Sequence, residues 1–338
     1  MLNRIYQLTA PGALSVKFAE LDPGPGEVLV RPTHMAICHA DQRYYTGSRA
    51  PAVLRQKLPM ALIHEATGIV VRDDSGAFQP GSHVIMIPNL PGVYDPAIAE
   101  NYRQGSRFLS SSGDGFMQEY VCLPEDRLLP CDGVEPELAA VGEFISIAMH
   151  AISSFERYAH ANRMRLGVWG DGRLGYTLAY ALRDKYPGAH ITVVGLDAEK
   201  MSYFTFADEV YHTHNLPEDY SVDHAFECTG GEGCSPAIDQ MIDTLAPEGM
   251  AILLGVSENK VPVNTRLMLE KGLTLLGRSR SGREDFEAVC RLLESPVNRQ
   301  RMSLLISEVI DVRSVDDMHK AFRSDAVSMF KTVMKWNV

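Results

Sequence analysis

The chain has 338 residues, 45% of them hydrophobic, and a formal net charge of −11 at pH 7. Its length suggests about two domains with enough apolar content for a substantial core, and its acidic balance excludes nucleic acid as a general partner, which needs a basic footprint. Residues 1–12 lack the apolar core of a signal peptide, no uninterrupted apolar run is long enough to insert in a membrane, and the cysteines at 38, 122, 131, 228, 234 and 290 show no paired spacing, which together fit a reducing cytoplasm.

In chain order, short strand-like runs come first, at 27–31, 66–71, 83–87 after Pro80-Gly81, and 115–122. Their Pro/Gly punctuation predicts a compact β-rich domain over residues 1–145. From Glu137 to Arg157 the pattern turns helical and is expected to lead into a second domain, 146–289. There an apolar run ends in Gly170-x-Gly172-x-x-Gly175, an amphipathic stretch fills 176–186 up to Pro187-Gly188, and 191–194 reads as the parallel strand that completes a βαβ unit. Two further runs, 222–228 and 250–254, end in Thr229-Gly230-Gly231 and in Gly255. Alternation at this spacing predicts an α/β fold with a doubly wound parallel sheet of the Rossmann type. Residues 314–324 read as a helix and 332–336 as a strand, so that 290–338 are expected to return to the first domain and leave a cleft between the two.

The glycine pattern implies a bound dinucleotide. Gly170 permits a tight strand-to-helix turn, Gly172 lets the backbone approach a pyrophosphate, and Gly175 lets helix and strand pack closely. The helix N-terminus, at Arg173 and Leu174, offers free N–H groups to the phosphates. NAD-binding versions place an acid about 20 residues further on, at the ribose 2′-hydroxyl. Here that position is Gly195, and Lys200 lies downstream to pair with a 2′-phosphate, which favours NADP. Two alternatives stay open: Asp197 serves as the acid if the turn is longer, or Gly195 merely makes the turn. Thr229 and Gly255, at strand ends, complete the expected cofactor set.

Cys38, His64, Glu65 and Glu143 supply the thiolate, imidazole and carboxylates that a catalytic zinc takes. Each also has a plainer explanation, since a cysteine on an apolar run is usually core, and spacing alone does not bring them together. Their order is the stronger signal. Cys38-x-x-Asp41, then His64-Glu65, then a helix bearing Glu143 before Ser146 and His150, then the glycine pattern, resembles the zinc-dependent medium-chain dehydrogenases. So do Pro80-Gly81-Ser82-His83-Val84 and Gly115-Phe116-Met117-Gln118-Glu119-Tyr120. The resemblance implies a GroES-like catalytic domain and one zinc on Cys38, His64 and Glu143, with Glu65 either a ligand or an exchangeable neighbour. It implies that Asp41 orients a ligand or loop, against the plainer role of turn cap, and it implies a homodimer or a pair of dimers. No structural zinc is expected, because no cysteine lies between Cys38 and Cys122.

Residues 41–48, 57–65, 169–172, 225–228 and 263–275 are similar to the ribulose-5-phosphate reductase branch that serves CDP-ribitol synthesis. That similarity implies NADPH-dependent reduction of D-ribulose 5-phosphate to D-ribitol 5-phosphate for teichoic-acid or capsule assembly, and pairing with a ribitol-5-phosphate cytidylyltransferase. The alternative is an NAD-dependent polyol dehydrogenase of the sorbitol or xylitol type. A sugar phosphate needs cations: Arg43, close behind Cys38, is the first candidate and Lys57 the second. Arg103 and Arg107 lie in a loop-like stretch suited to cover the cleft, and Arg278-Ser279-Arg280-Ser281-Gly282-Arg283 follows an expected strand, placed to touch the cofactor or the substrate, where Ser281 equally suits a helix cap. Two departures stand out. Ile63 precedes His64 where glycine is common, and Ala40 stands where relatives carry a hydroxyl proton relay, leaving His39, Tyr44 or a zinc-bound water as open replacements.

Overall fold

The computed structural model describes Met1–Val338 and divides into two compact units, Met1–Ser146 with Arg280–Val338, and Ile147–Ser279. The first unit opens with a hairpin outside the expected strands: Leu2–Ala10 pairs antiparallel with Ala13–Glu20 across Pro11-Gly12, with Gly12 at φ +68°. Its main sheet runs Leu128–Pro130, His83–Met86, Glu65–Asp73, Glu27–Ala36, Lys331–Trp336, Ile306–Val312, and Val121–Pro124 also pairs with Glu27–Ala36. The last two strands of that order are parallel and the other pairs antiparallel.

The expected strand at 115–122 differs. Regular pairing covers Val121–Pro124, while Gly115, Phe116 and Met117 turn their N–H groups to the carbonyls of Ala61, Ile63 and Leu62 at 2.8, 2.7 and 3.2 Å. A side chain at Gly115 would stand 2.3 Å from the Ile63 oxygen, so the segment threads against the residues that precede His64.

One core cluster joins Val30, Met35 and Val84 to Val312, Phe322 and Met334 from the C-terminal segment. Burying each such side chain contributes roughly 1.5–3 kcal/mol, which is what ties that segment back. The return begins at Arg280 rather than at 290, because Phe286 packs with Ile85, Ile87 and Leu129.

The second unit holds six strands in the order Glu209–His212, His190–Gly195, Arg165–Trp169, Val222–Glu227, Leu245–Leu253, Thr274–Gly277, all parallel. In chain order this is the doubly wound Rossmann arrangement, whose crevice opens where the strand order reverses. The helix expected over 137–157 is two helices, Pro136–Ala140 and Gly142–Tyr158. Val141 bonds back to the Leu138 carbonyl, and Gly142 sits where a Cβ would lie 3.2 Å from Ile85. The break puts Glu143 in the first turn of a new helix.

A buried histidine makes this unit pH-sensitive. His224 donates from Nε2 to the Asn162 carbonyl at 2.9 Å and accepts at Nδ1 from the Met250 N–H at 3.1 Å, a pairing only the neutral ring can make. Burial, with His160 beside it, pushes the imidazole down to about 4. The unfolded chain takes up that proton near pH 6.5, so stability is full above 6.5 and falls as the pH drops towards 4, by about 3 kcal/mol. Urea midpoints at about pH 7.5 and about pH 4.5 check this, and His224→Gln is expected to flatten the slope.

Candidate metal centre and dinucleotide site

Cys38 is the N-cap of the helix His39–Tyr45, and Glu65 opens the strand Glu65–Asp73. Sheet register brings them together, since Ala36, two residues before Cys38, lies opposite Glu65. Donor atoms of Cys38, His64 and Glu65 all lie within 4.8 Å of one another. Glu143 is buried beside them, close enough to interact with His64, Glu65 and Lys331.

Asp41 holds this group in place. Its Oδ1 accepts the Ile63 N–H at 3.1 Å and the Ser110 hydroxyl at 2.6 Å, while Oδ2 accepts the Cys38 N–H at 3.3 Å and lies 3.4 Å from His64 Nδ1. Burial would raise the Asp41 carboxyl, but His64 and these donors hold it below its ordinary range. Burial would lower His64, but Asp41 and Cys38 hold it well above its ordinary value. Ile63 and Ser110 stand at φ +69° and +61°. That explains why glycine is common at position 63: a β-branched residue there is strained by roughly 1–3 kcal/mol, which the bonds to Asp41 help offset. Nothing in the run Ser110-Ser111-Ser112 marked its first member for this role.

Glu65 is not free. Its Oε1 accepts from Lys331 Nζ at 2.6 Å, and the same ammonium donates to the Ile37 carbonyl at 3.3 Å and lies 4.2 Å from the Phe144 ring centroid. Burial, with Glu65 beside it, pushes Glu143 up to about 7 against the pull of His64 and Lys331. Oε2 of Glu65 and Oε2 of Glu143 are both buried without a hydrogen-bond partner. Buried carboxylate oxygens are normally satisfied. Two orphaned ones beside a thiol and an imidazole form a donor set that suits zinc, so these residues fit the ion. Ser281 does not cap a helix: its Oγ lies 2.5 Å from Ser146 Oγ, while Gly282 is the N-cap and donates its N–H to Asp285 at 2.9 Å.

In the second unit, the helix Arg173–Lys185 starts directly behind the N-cap Gly172, with Arg173 and Leu174 in its first turn. Gly170 takes φ +129°, and a Cβ on Gly175 would stand 1.8 Å from the Gly170 oxygen, so the third glycine is a packing requirement. Gly195 ends its strand against Asp171, whose side chain would lie 2.7 Å from a Cβ there. Asp171 Oδ2 accepts the N–H groups of Leu196 and Asp197, both at 2.7 Å. Asp197 in turn caps the helix Ala198–Met201 and lies 3.6 Å from Lys200 Nζ. Sequence reasoning passed over Glu227, buried at the end of a central strand. It accepts from Thr229 N–H and Gly230 N–H at 2.8 and 3.1 Å, from the Thr229 hydroxyl, and from Gly255 N–H at 2.8 Å, tying together the two loops that carry Thr229 and Gly255.

The two phosphate candidates part company. Arg43 shares the helix of Asp41, and burial together with Arg49 lowers the pKa of its guanidinium. Lys57 lines a surface cavity of about 470 Å³ with Lys17, Gln56 and Asp114, to which Cys38, His64, Glu65 and Glu143 do not contribute.

Residues 24–133 match the alcohol dehydrogenase GroES-like domain and residues 185–295 the zinc-binding dehydrogenase family. The chain belongs to the zinc-binding alcohol dehydrogenases. It is 46% identical over 341 residues to the ribulose-5-phosphate reductase of Streptococcus pneumoniae, covering 100% of this chain and 98% of that protein. It is 47% identical over 339 residues to ribulose-5-phosphate reductase 1 of Staphylococcus aureus, covering 99% of each. The solved structure of S. aureus TarJ in complex with NADPH matches with a TM-score of 0.89 at 42% identity over 100% of both chains.

Proposed function

We infer that the chain reduces D-ribulose 5-phosphate to D-ribitol 5-phosphate with NADPH, assisted by one zinc ion. The observation that carries this is the full-length similarity to ribulose-5-phosphate reductases together with the group formed by half-buried Cys38 and buried His64, Glu65 and Glu143. Cys38, His64 and Glu143 would hold the metal, with Glu65 exchanging between it and Lys331. A zinc ion held there would supply Lewis-acid polarisation of the ketone oxygen at C2 of the sugar. Asp41 fixes the His64 ring through Nδ1 and leaves Nε2 as the donor atom. Gly172, Arg173 and Leu174 present the helix N-terminus to the coenzyme pyrophosphate. Hydride passes from the nicotinamide to C2 and a proton to its oxygen, so the ketone becomes an alcohol as NADPH becomes NADP⁺. Zinc-loaded protein should form one D-ribitol 5-phosphate per NADPH consumed; NADPH oxidation without that product would sink the assignment.

Gly195 bears on the coenzyme through packing as well as charge. Gly195→Asp is expected not to create NADH preference but to lower stability by roughly 1–3 kcal/mol, because its Cβ meets Asp171. Relative kcat/KM for the two coenzymes and a melting curve check this. No helix of the protein is long and apolar enough to cross a membrane, and all six cysteines are free. The resemblance to the ribulose-5-phosphate reductase branch supports the further proposal of a cytoplasmic homodimer that hands its product to a ribitol-5-phosphate cytidylyltransferase.

A further inference from the structure

We propose that Arg280 grips the phosphate of the substrate and so sets the preference for a phosphorylated ketose. This rests on the assignment of a sugar phosphate made above and names the residue that would recognise it. Arg280 stands at φ +60°, a conformation that non-glycine residues seldom adopt without a reason. The next two residues are clamped. Ser281 is buried with its hydroxyl on Ser146, three residues beyond Glu143, and Gly282 packs so tightly that a Cβ would lie 2.9 Å from Glu100 Cγ.

The backbone therefore turns the Arg280 side chain outwards, and its guanidinium carbon sits 5.2 Å from the Phe108 ring centroid. Phe108 in turn lies 5.3 Å from the His64 ring. His64, Phe108 and Arg280 thus form a short ladder of two contacts that begins at the metal group. An extended pentose 5-phosphate places its phosphorus about 7 Å from its C2 oxygen, six covalent bonds of about 1.5 Å along a zigzag. With the C2 oxygen at the metal group, that span falls within the two steps of 5.3 and 5.2 Å that join His64 to the Arg280 guanidinium through Phe108.

Charge leaves the same residue available. Neighbouring arginines are already committed: Arg127 pairs with Glu100 at 2.8 Å and Asp126 at 2.9 Å, and Arg283 lies 3.1 Å from Glu287. Arg280 is exposed and has no carboxylate partner. A planar fork of N–H donors resting on an aromatic face suits a phosphomonoester dianion, which accepts two parallel bonds. Lys57 lines a surface cavity to which His64, Phe108 and Arg280 do not contribute.

The test compares wild type, Arg280→Gln and Arg280→Lys on D-ribulose 5-phosphate and on D-ribulose, with melting curves for each. The readout is the ratio of kcat/KM for the phosphorylated sugar to that for the free sugar. Arg280→Gln is expected to lower this ratio by about 30-fold or more, chiefly through KM, and Arg280→Lys to recover part of it. Equal losses on both sugars would overturn the proposal, because a structural or coenzyme role does not distinguish them. A wild-type enzyme that uses both sugars equally well would instead overturn the underlying assignment of a phosphorylated substrate. A wild type that strongly prefers the phosphate, with an unchanged ratio in Arg280→Gln, would remove Arg280 alone.

Discussion

Replacing His64 by alanine is expected to remove bound zinc and to lower kcat/KM for D-ribulose 5-phosphate by about three to four orders of magnitude. Polarising the ketone oxygen supplies several kcal/mol of stabilisation that no neighbouring side chain replaces. Ala40 offers no hydroxyl, and Lys331 is held by Glu65. The fold should survive, since Asp41 keeps the donors Ile63 N–H, Ser110 Oγ and Cys38 N–H when the imidazole is gone. Metal analysis and kinetics at saturating NADPH check both halves. Retained zinc with less than a tenfold loss would show that His64 is not a ligand.

The second large effect lies at Lys331. Lys331→Met should destabilise the zinc-free protein by about 3–5 kcal/mol, because it leaves the fully buried Glu65 without its partner. Methionine has similar length and keeps contact with Phe144, so most of the loss is electrostatic. Adding zinc should recover part of it, since Glu65 is then free to approach the ion. In a double-mutant cycle, Glu65→Met should largely rescue Lys331→Met. Urea melts of the four zinc-free proteins decide the matter: equal, additive losses would mean that the two side chains do not act as a pair.

Local pattern carried the second unit furthest. Alternating apolar runs and the spacing Gly170-x-Gly172-x-x-Gly175 depend on neighbours in sequence, and the parallel sheet follows them with shifts of a few residues at strand ends. In the first unit the run at 115–122 misled at its start, because the N–H groups of Gly115, Phe116 and Met117 serve the segment before His64 and regular pairing waits until Val121. The site was legible as chemistry but not as an arrangement. Cys38, His64, Glu65 and Glu143 are recognisable residue types, yet it is the register of Ala36 on Glu65 and the helix restart at Gly142 that bring them together. Ser110, Glu227 and Lys331 act through Asp41, Gly255 and Glu65, 69, 28 and 266 residues away, and no periodicity reveals such pairs. Only the structure marks Lys331, as a lysine beginning a strand whose first four residues are all buried, one residue before the strand read from the sequence. A lysine in that position calls for a buried anion.

The most direct measurement is kcat/KM for purified, zinc-loaded protein over the four combinations of D-ribulose 5-phosphate or D-ribulose with NADPH or NADH. Turnover dominated by the phosphorylated ketose with NADPH is the predicted result. Comparable or faster turnover with NADH and the free sugar would contradict it and place the chain with the polyol dehydrogenases.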